Sequence, residues 1–252
     1  VYKDKGITFD TDLSKLKSDD YPIMEDLYNK LLLNLDKAKL KNEPQNVIES
    51  LEKICSLMKK STTTDAKIFN GHSSVKVADK SDFIVLDINS LVDSDDSILK
   101  SQFFNILTWC WNEICKNKDE QVILVCDEAH LIIDPNNRDG IDFLKKASKR
   151  IRKQNGSLIL ISQNLIDFCS PEIERYGQVI IDNSSYLLVM SQGQKEIEAV
   201  AKMLSLSESE KQFLTTASQG CGLFVIGQDT RLPIQVELRI EEKELFGSAG
   251  GK

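Results

Sequence analysis

Two neighbouring carboxylates, Asp127 and Glu128, close the apolar run Val122-Ile-Leu-Val-Cys126, and Ala129 and His130 follow them. Such a run reads as a buried parallel strand whose last residues emerge at the sheet edge where ligands bind. Acids at that edge suit phosphoanhydride hydrolysis. Asp127 is placed to hold a hydrated Mg²⁺, and Glu128 to polarise the water that attacks a phosphate. The plain alternative is a buried strand that happens to end in exposed acids.

A second apolar run, Ser157-Leu-Ile-Leu-Ile-Ser162, follows after one helix and ends in Gln163-Asn164. A parallel neighbour would bring Gln163 out beside Glu128, where an amide can hydrogen-bond both the attacking water and a γ-phosphate. Otherwise Gln163 is a loop amide or a helix cap. The intervening helix ends in Lys145-Lys-Ala-Ser-Lys149-Arg150-Ile-Arg152-Lys153. Its lysines read as a solvated face, favourably placed near a helix C-terminus. Arg150 and Arg152 differ, since a permanently charged planar guanidinium can stabilise a transferring phosphoryl group, often across a subunit boundary.

The elements that must position these groups read as crossover units on a parallel sheet. Strands are expected at Phe83 to Ile88, Val122 to Cys126, Ser157 to Ser162, Val179 to Asp182, Tyr186 to Met190 and Gly222 to Ile226. Helices are expected around Ile98 to Cys115, Asp142 to Gln154, Gln194 to Leu204 and Glu208 to Ala217. The period-two pattern from Ile234 to Ile240 marks an edge strand with one face in water. Ahead of all this, Leu27, Leu31 and Leu35, then Val47, Leu51, Ile54 and Met58, space out as two helices of a hairpin. Pro44 suits the first turn of the second.

None of the twelve glycines opens a Gly-x-x-x-x-Gly-Lys-Ser/Thr loop, whose backbone amides cradle nucleotide phosphates. The expectation is a chain whose first strand and phosphate loop lie upstream of Val1. With 252 residues, 41% of them hydrophobic, a large core can be buried. The formal charge of −7 argues against nucleic-acid binding by bulk electrostatics, so any DNA contact must be local. Six cysteines without a Cys-x-x-Cys pair read as buried thiols of a reducing compartment, and two histidines are too few for a zinc cluster. No apolar segment approaches the ~20 residues of a membrane span.

Asp127-Glu128-Ala129-His130 matches a helicase tetrad, but Ser162-Gln163-Asn164 stands where those helicases carry Ser-Ala-Thr, and their late arginine-glycine stretch is missing. A different set of motifs occurs in order. These are Ile68-Phe69-Asn70-Gly71, Phe83 to Asp87, Trp109-Cys-Trp111-Asn-Glu113, Asp127-Glu128-Ala129, Lys149 to Gly156, Ile161 to Asn164 and Ile181-Asp-Asn183-Ser184-Ser185. The chain thereby resembles the C-terminal ATPase domain of the large conjugation and type IV secretion ATPases of the VirB/TraE/TraC type, in the HerA–FtsK division of RecA-like motors.

The resemblance implies an α/β fold: a RecA-like, mainly parallel sheet flanked by helices, with an N-terminal helical-hairpin insertion and a C-terminal antiparallel edge. Residues 1–75 would be the insertion and lead-in, 76–246 the ATPase core lacking the phosphate-loop strand, and 247–252 a flexible tail. It implies a homo-oligomer, commonly a hexamer, in the cytoplasm at the inner face of the cell membrane, working with secretion-channel and coupling proteins. Asp127 matches the magnesium-side acid, Glu128 the catalytic base, Gln163 the sensor, and Arg150 or Arg152 the arginine acting in trans. ATP and Mg²⁺ are the expected cofactors of the intact protein, with no tight binding to this chain alone. The rivals are a noncatalytic interaction module that kept the fold, and a DNA translocase of the same division.

Overall fold

The computed structural model describes residues 1–73, 81–92, 94–163, 165, 168, 170–227 and 230–246. Expectations for Asn164, Cys169 and the tail 247–252 lie outside the described residues. The chain divides into two compact units, Val1–Leu86 and Asp87–Lys252.

In the first unit, α1 (Met24–Leu40) and α2 (Gln45–Thr62) form the expected hairpin. Asn42 takes the left-handed conformation, with φ 51°, and the Glu43 amide donates back to Ala38 O while that of Asn42 reaches Lys39 O. This is a Schellman closure of α1, and it sets the turn. Pro44 is the N-cap of α2, one residue ahead of the first turn. The buried positions are Leu35, Ala38 and Cys55, whereas Leu27 and Ile54 face solvent. Of the positions that leucine spacing predicts, Leu35 is buried and Leu31, Val47, Leu51 and Met58 are half-buried, and Ala38 and Cys55 complete the seam.

The second unit contains α3 (Asp96–Lys116), β1 (Val122–Cys126), α4 (Arg138–Arg150), β2 (Gly156–Leu160), α5 (Glu174–Asp182), β3 (Tyr186–Met190), α6 (Ile197–Leu204), α7 (Glu208–Thr216), β4 (Cys221–Ile226), β5 (Thr230–Gln235) and α8 (Ile240–Phe246). β1 pairs with β2 in parallel, from Val122 opposite Gly156 to Cys126 opposite Leu160. β3, β4 and β5 form an antiparallel ladder. Pro233 sits in edge strand β5, where its missing N–H costs no ladder bond on the open side.

One core packs Leu124, Leu158 and Leu160 from β1 and β2 against Leu99, Phe103 and Leu107 of α3, Ile141 and Leu144 of α4, and Ile180 and Ile181 of α5. Trp111 meets Phe143 edge to face, tying α3 to α4. A second cluster joins Val189, Leu223 and Val225 to Val200 of α6 and Leu214 of α7. The strand β1 is not sealed on both faces. Ile123 and Val125 remain 56% and 51% exposed, alternating with the packed Val122, Leu124 and Cys126.

Three expected strands differ. Phe83 to Ile88 has no ladder, with Phe83 and Val85 largely exposed, because no described strand lies alongside to accept its backbone bonds. Val179 to Asp182 is the last turn of α5. The buried set Gly177, Ile180 and Ile181 has helical spacing, which four apolar residues alone cannot reveal. Past Gln235, the Val236 amide adds one bond to Gly220 O, and Ile240 opens α8 where an edge strand was expected.

Gly177 carries a packing constraint. A Cβ there would lie 2.3 Å from the Phe168 carbonyl oxygen, a backbone atom that cannot swing away. Gly177→Ala should therefore destabilise by about 1–3 kcal/mol in urea unfolding, outweighing the gain in helix propensity. Gly193→Ala, whose Cβ would meet Glu196 Oε2 at an ordinary 3.6 Å, should be close to neutral. Burial beside Cys110 pushes the Cys126 thiol up to about 12. The native state keeps a proton that the unfolded chain releases near 9.0. That contribution is intact below the lower value and is lost as pH rises toward the upper one. In the folded protein Cys126 should react with iodoacetamide more slowly than the half-buried Cys115 and Cys221, measured by mass spectrometry at mildly alkaline pH.

Candidate active site

The ladder between β1 and β2 does not stop at the strand ends. The Ile161 amide donates to Cys126 O at 3.0 Å, and Ile161 O accepts from the Ala129 amide at 2.8 Å. This clamp closes around the acid pair with one extra residue on the β1 side, since Ala129 takes the bond to Ile161 that a regular ladder would give to Glu128. Gln163, two residues past Ile161, comes out beside Glu128, and its Nε2 donates to Glu128 Oε1 at 2.6 Å.

Between Cys126 and Ala129 the chain makes a tight corner. Glu128 is left-handed, with φ 50° and ψ 47°, an unusual conformation for a residue with a Cβ and one concentrated at functional sites. Its amide is satisfied by Asp127 Oδ1 at 2.9 Å. Ala129, fully buried, opens a single 3-10 turn, and Leu131 N returns to Glu128 O at 2.9 Å. Below the turn, the buried Asn137 donates from Nδ2 to Ile132 O and accepts from Gly140 N, capping α4. Gly140 is needed there, since a Cβ would come within 2.6 Å of Asn137 Nδ2. Asn137 thus fastens the start of α4 to the turn that carries the acids.

The Asp127 carboxylate is exposed, and Glu128 is half-buried. His130 Nδ1 lies 3.1 Å from Glu128 Oε2. Chemically, the cluster offers one open carboxylate for a hydrated cation and a second whose Oε1 is held by an amide. Mg²⁺ characteristically takes one or two carboxylates and fills its shell with water and phosphate oxygens, so Asp127 fits that ion.

The structure brings Asp127, Glu128 and Gln163 to one rim and places Arg150 and Arg152 elsewhere. Arg150 ends α4, and Arg152 lies in the 3-10 turn Ile151–Gln154 that feeds the start of β2. Gly156 pairs with Val122, so the length of β1, about 13 Å at ~3.3 Å per residue, separates the arginines from the acids. Arg152 instead lines an open cavity of about 890 Å³ with Asn183, Ser184, Ser185, Ser205 and Gly227. Arg231 borders the same cavity, and its guanidinium donates to Leu204 O and Glu210 Oε2, holding the end of α6 to α7. Nothing in the sequence pattern marks Arg231. His130 had a signal, its place in the tetrad, but its contact with Glu128 depends on the 3-10 turn.

Residues 19–220 match the TraG P-loop domain. The structure of VirB4 from Thermoanaerobacter pseudethanolicus superposes with a TM-score of 0.80 and 39% identity, over 96% of this chain and 62% of that one. An uncharacterized protein of Bacillus anthracis is 24% identical over 92% of this chain and 39% of its own length. Protein TraC of Escherichia coli K12 is 27% identical over 47% of this chain and 14% of its own. The chain therefore spans under two thirds of each of these relatives. With four fifths of its length inside that match, and a site placed on a fold shared with VirB4, the chain belongs to the TraG P-loop domain family of conjugation and type IV secretion ATPases.

Proposed function

We propose that this chain supplies the catalytic-acid half of an ATP-hydrolysing motor that energises conjugative transfer or type IV secretion. The observation that carries the reading is the 2.6 Å bond between Gln163 Nε2 and Glu128 Oε1 at the shared end of two parallel strands. Glu128 orients and polarises a water for in-line attack on the γ-phosphate, and Gln163 senses that phosphate through the same amide. Asp127 would hold Mg²⁺, which when bound would supply charge neutralisation on the triphosphate.

Arg150 or Arg152 acts on a neighbouring subunit's nucleotide in this reading. Their separation from the acids of their own chain supports action in trans, within a ring that we take to be a hexamer. The remaining partners are secretion-channel and coupling proteins at the inner face of the cell membrane. No helix among the described residues is long and apolar enough to cross a membrane, so contact there is peripheral in this proposal.

The 252 residues contain no Gly-x-x-x-x-Gly-Lys-Ser/Thr loop to hold the triphosphate. Steady-state ATP turnover by this chain alone should therefore be negligible, and turnover abolished by Glu128→Gln in the isolated chain would contradict the expectation. In the full-length, assembled protein, Glu128→Gln should lower kcat by about 10²–10⁴ with ATP affinity retained. Undiminished kcat in that variant would remove Glu128 from the role of base. Gln163→Ala should lower kcat in the same assay, by a smaller factor.

A further inference from the structure

We propose that His130 is a positioning residue that fixes the Glu128 carboxylate from the side opposite Gln163. The inference rests on Glu128 being the base, and adds to that reading the group that orients it.

Glu128 Oε2 and His130 Nδ1 are each sealed from solvent, and neither has a hydrogen-bond partner among the described residues. They lie 3.1 Å apart. A buried carboxylate oxygen without a donor and a buried ring nitrogen without a partner are both costly. Among the described residues each is placed to satisfy the other, through a small rotation of the ring that turns the contact into N–H···O. Oε1 is already taken by Gln163. The carboxylate is then gripped at both oxygens, by an amide and by an imidazole.

The local backbone explains why these two side chains meet. The left-handed Glu128 reverses the chain, and the 3-10 turn Ala129–Leu131 folds His130 back over the carboxylate two residues earlier. The backbone of Ala129, held by Ile161, keeps the turn in place. The two grips have different duties. Gln163 must let go of Oε1 when a water and a phosphate approach, and His130 keeps Oε2 still while that exchange occurs.

The pairing demands a proton on Nδ1, the minority tautomer of a free neutral imidazole. The chain has only two histidines, and the other is a built-in control. His72 Nε2 lies 2.9 Å from the Tyr21 carbonyl and its Nδ1 lies 3.5 Å from Asp19 Oδ1, so the closer acceptor favours a proton on Nε2. Long-range ¹⁵N–¹H NMR of this chain at about pH 8 should show His130 as the Nδ1–H form and His72 as the Nε2–H form. Glu128→Ala should return His130 to the Nε2–H form and leave His72 unmoved. An Nε2–H form for His130 in the unmutated chain overturns the proposal without need of any variant, as does a tautomer indifferent to Glu128→Ala.

In the full-length ATPase, His130→Ala should lower kcat ten- to a hundredfold, roughly the effect of misplacing a reacting group by an ångström, at unchanged KM. His130→Asn, whose Nδ2 stands where Nδ1 was, should recover most of it. A change confined to KM, or no rescue by asparagine, counts against positioning. Whether Glu128 is the base is decided by Glu128→Gln, so the tautomer can fail with that reading intact.

Discussion

Ile161 holds the site together through its backbone. Its amide and carbonyl bridge Cys126 and Ala129, so the pairing of the two chains reaches one residue past β2 and three past β1, with one extra residue on the β1 side at the acid pair. Side chains of a strand alternate between faces, so a slip of one residue would send the group at position 163 away from Glu128. The same clamp gives the strained corner at Glu128 something to push against. Its left-handed backbone is tolerated because a buried alanine on one side and an Asp127-capped amide on the other leave it no relaxed alternative.

The helix that follows contributes as much as the strands. Asn137 is the one buried polar residue of the described core, and it bonds both the end of the acid-bearing turn and the Gly140 amide in the first turn of α4. Gly140 exists to make room for that side chain. The interior then takes over, with Leu144 and Ile141 packed against α3, α5 and the inner face of β1 and β2. A chain of contacts thus runs from the hydrophobic core, through one asparagine, to the orientation of two carboxylates.

How much of this was legible beforehand depended on how far each signal reached along the chain. β1, β2 and the helix between them are long, strongly patterned segments, and the meeting of Glu128 with Gln163 follows once they are taken as parallel neighbours. Phe83 to Ile88 has the composition of a strand and, among the described residues, no partner to make it one, because a strand is a property of two segments. Val179 to Asp182 is too short for its period to be read, and the deciding positions, Gly177 and the contact of α5 with Phe168, lie outside it. The hairpin seam follows the apolar spacing at Leu35 and departs from it at Leu27 and Ile54, because the small Ala38 and Cys55, which carry no strong periodic signal, take the buried positions beside it. His130 and Arg231 act through contacts made by a turn and by a distant helix end, so no spacing rule could find them.

The two arginines raise a matter of geometry that no local pattern addresses. A parallel strand pair has two ends, and this chain puts carboxylates at one and guanidinium groups at the other. An arginine side chain cannot span β1, so the opposite charges cannot complete one site within the chain. Two copies stacked head to tail would bring the arginine end of one against the acid end of the next, and such a contact closes into a ring when its rotation permits. The local sequence that ends α4 with cations would then serve twice. It would stabilise the helix terminus through its dipole in each subunit, and it would deliver charge to the phosphates held by a neighbour.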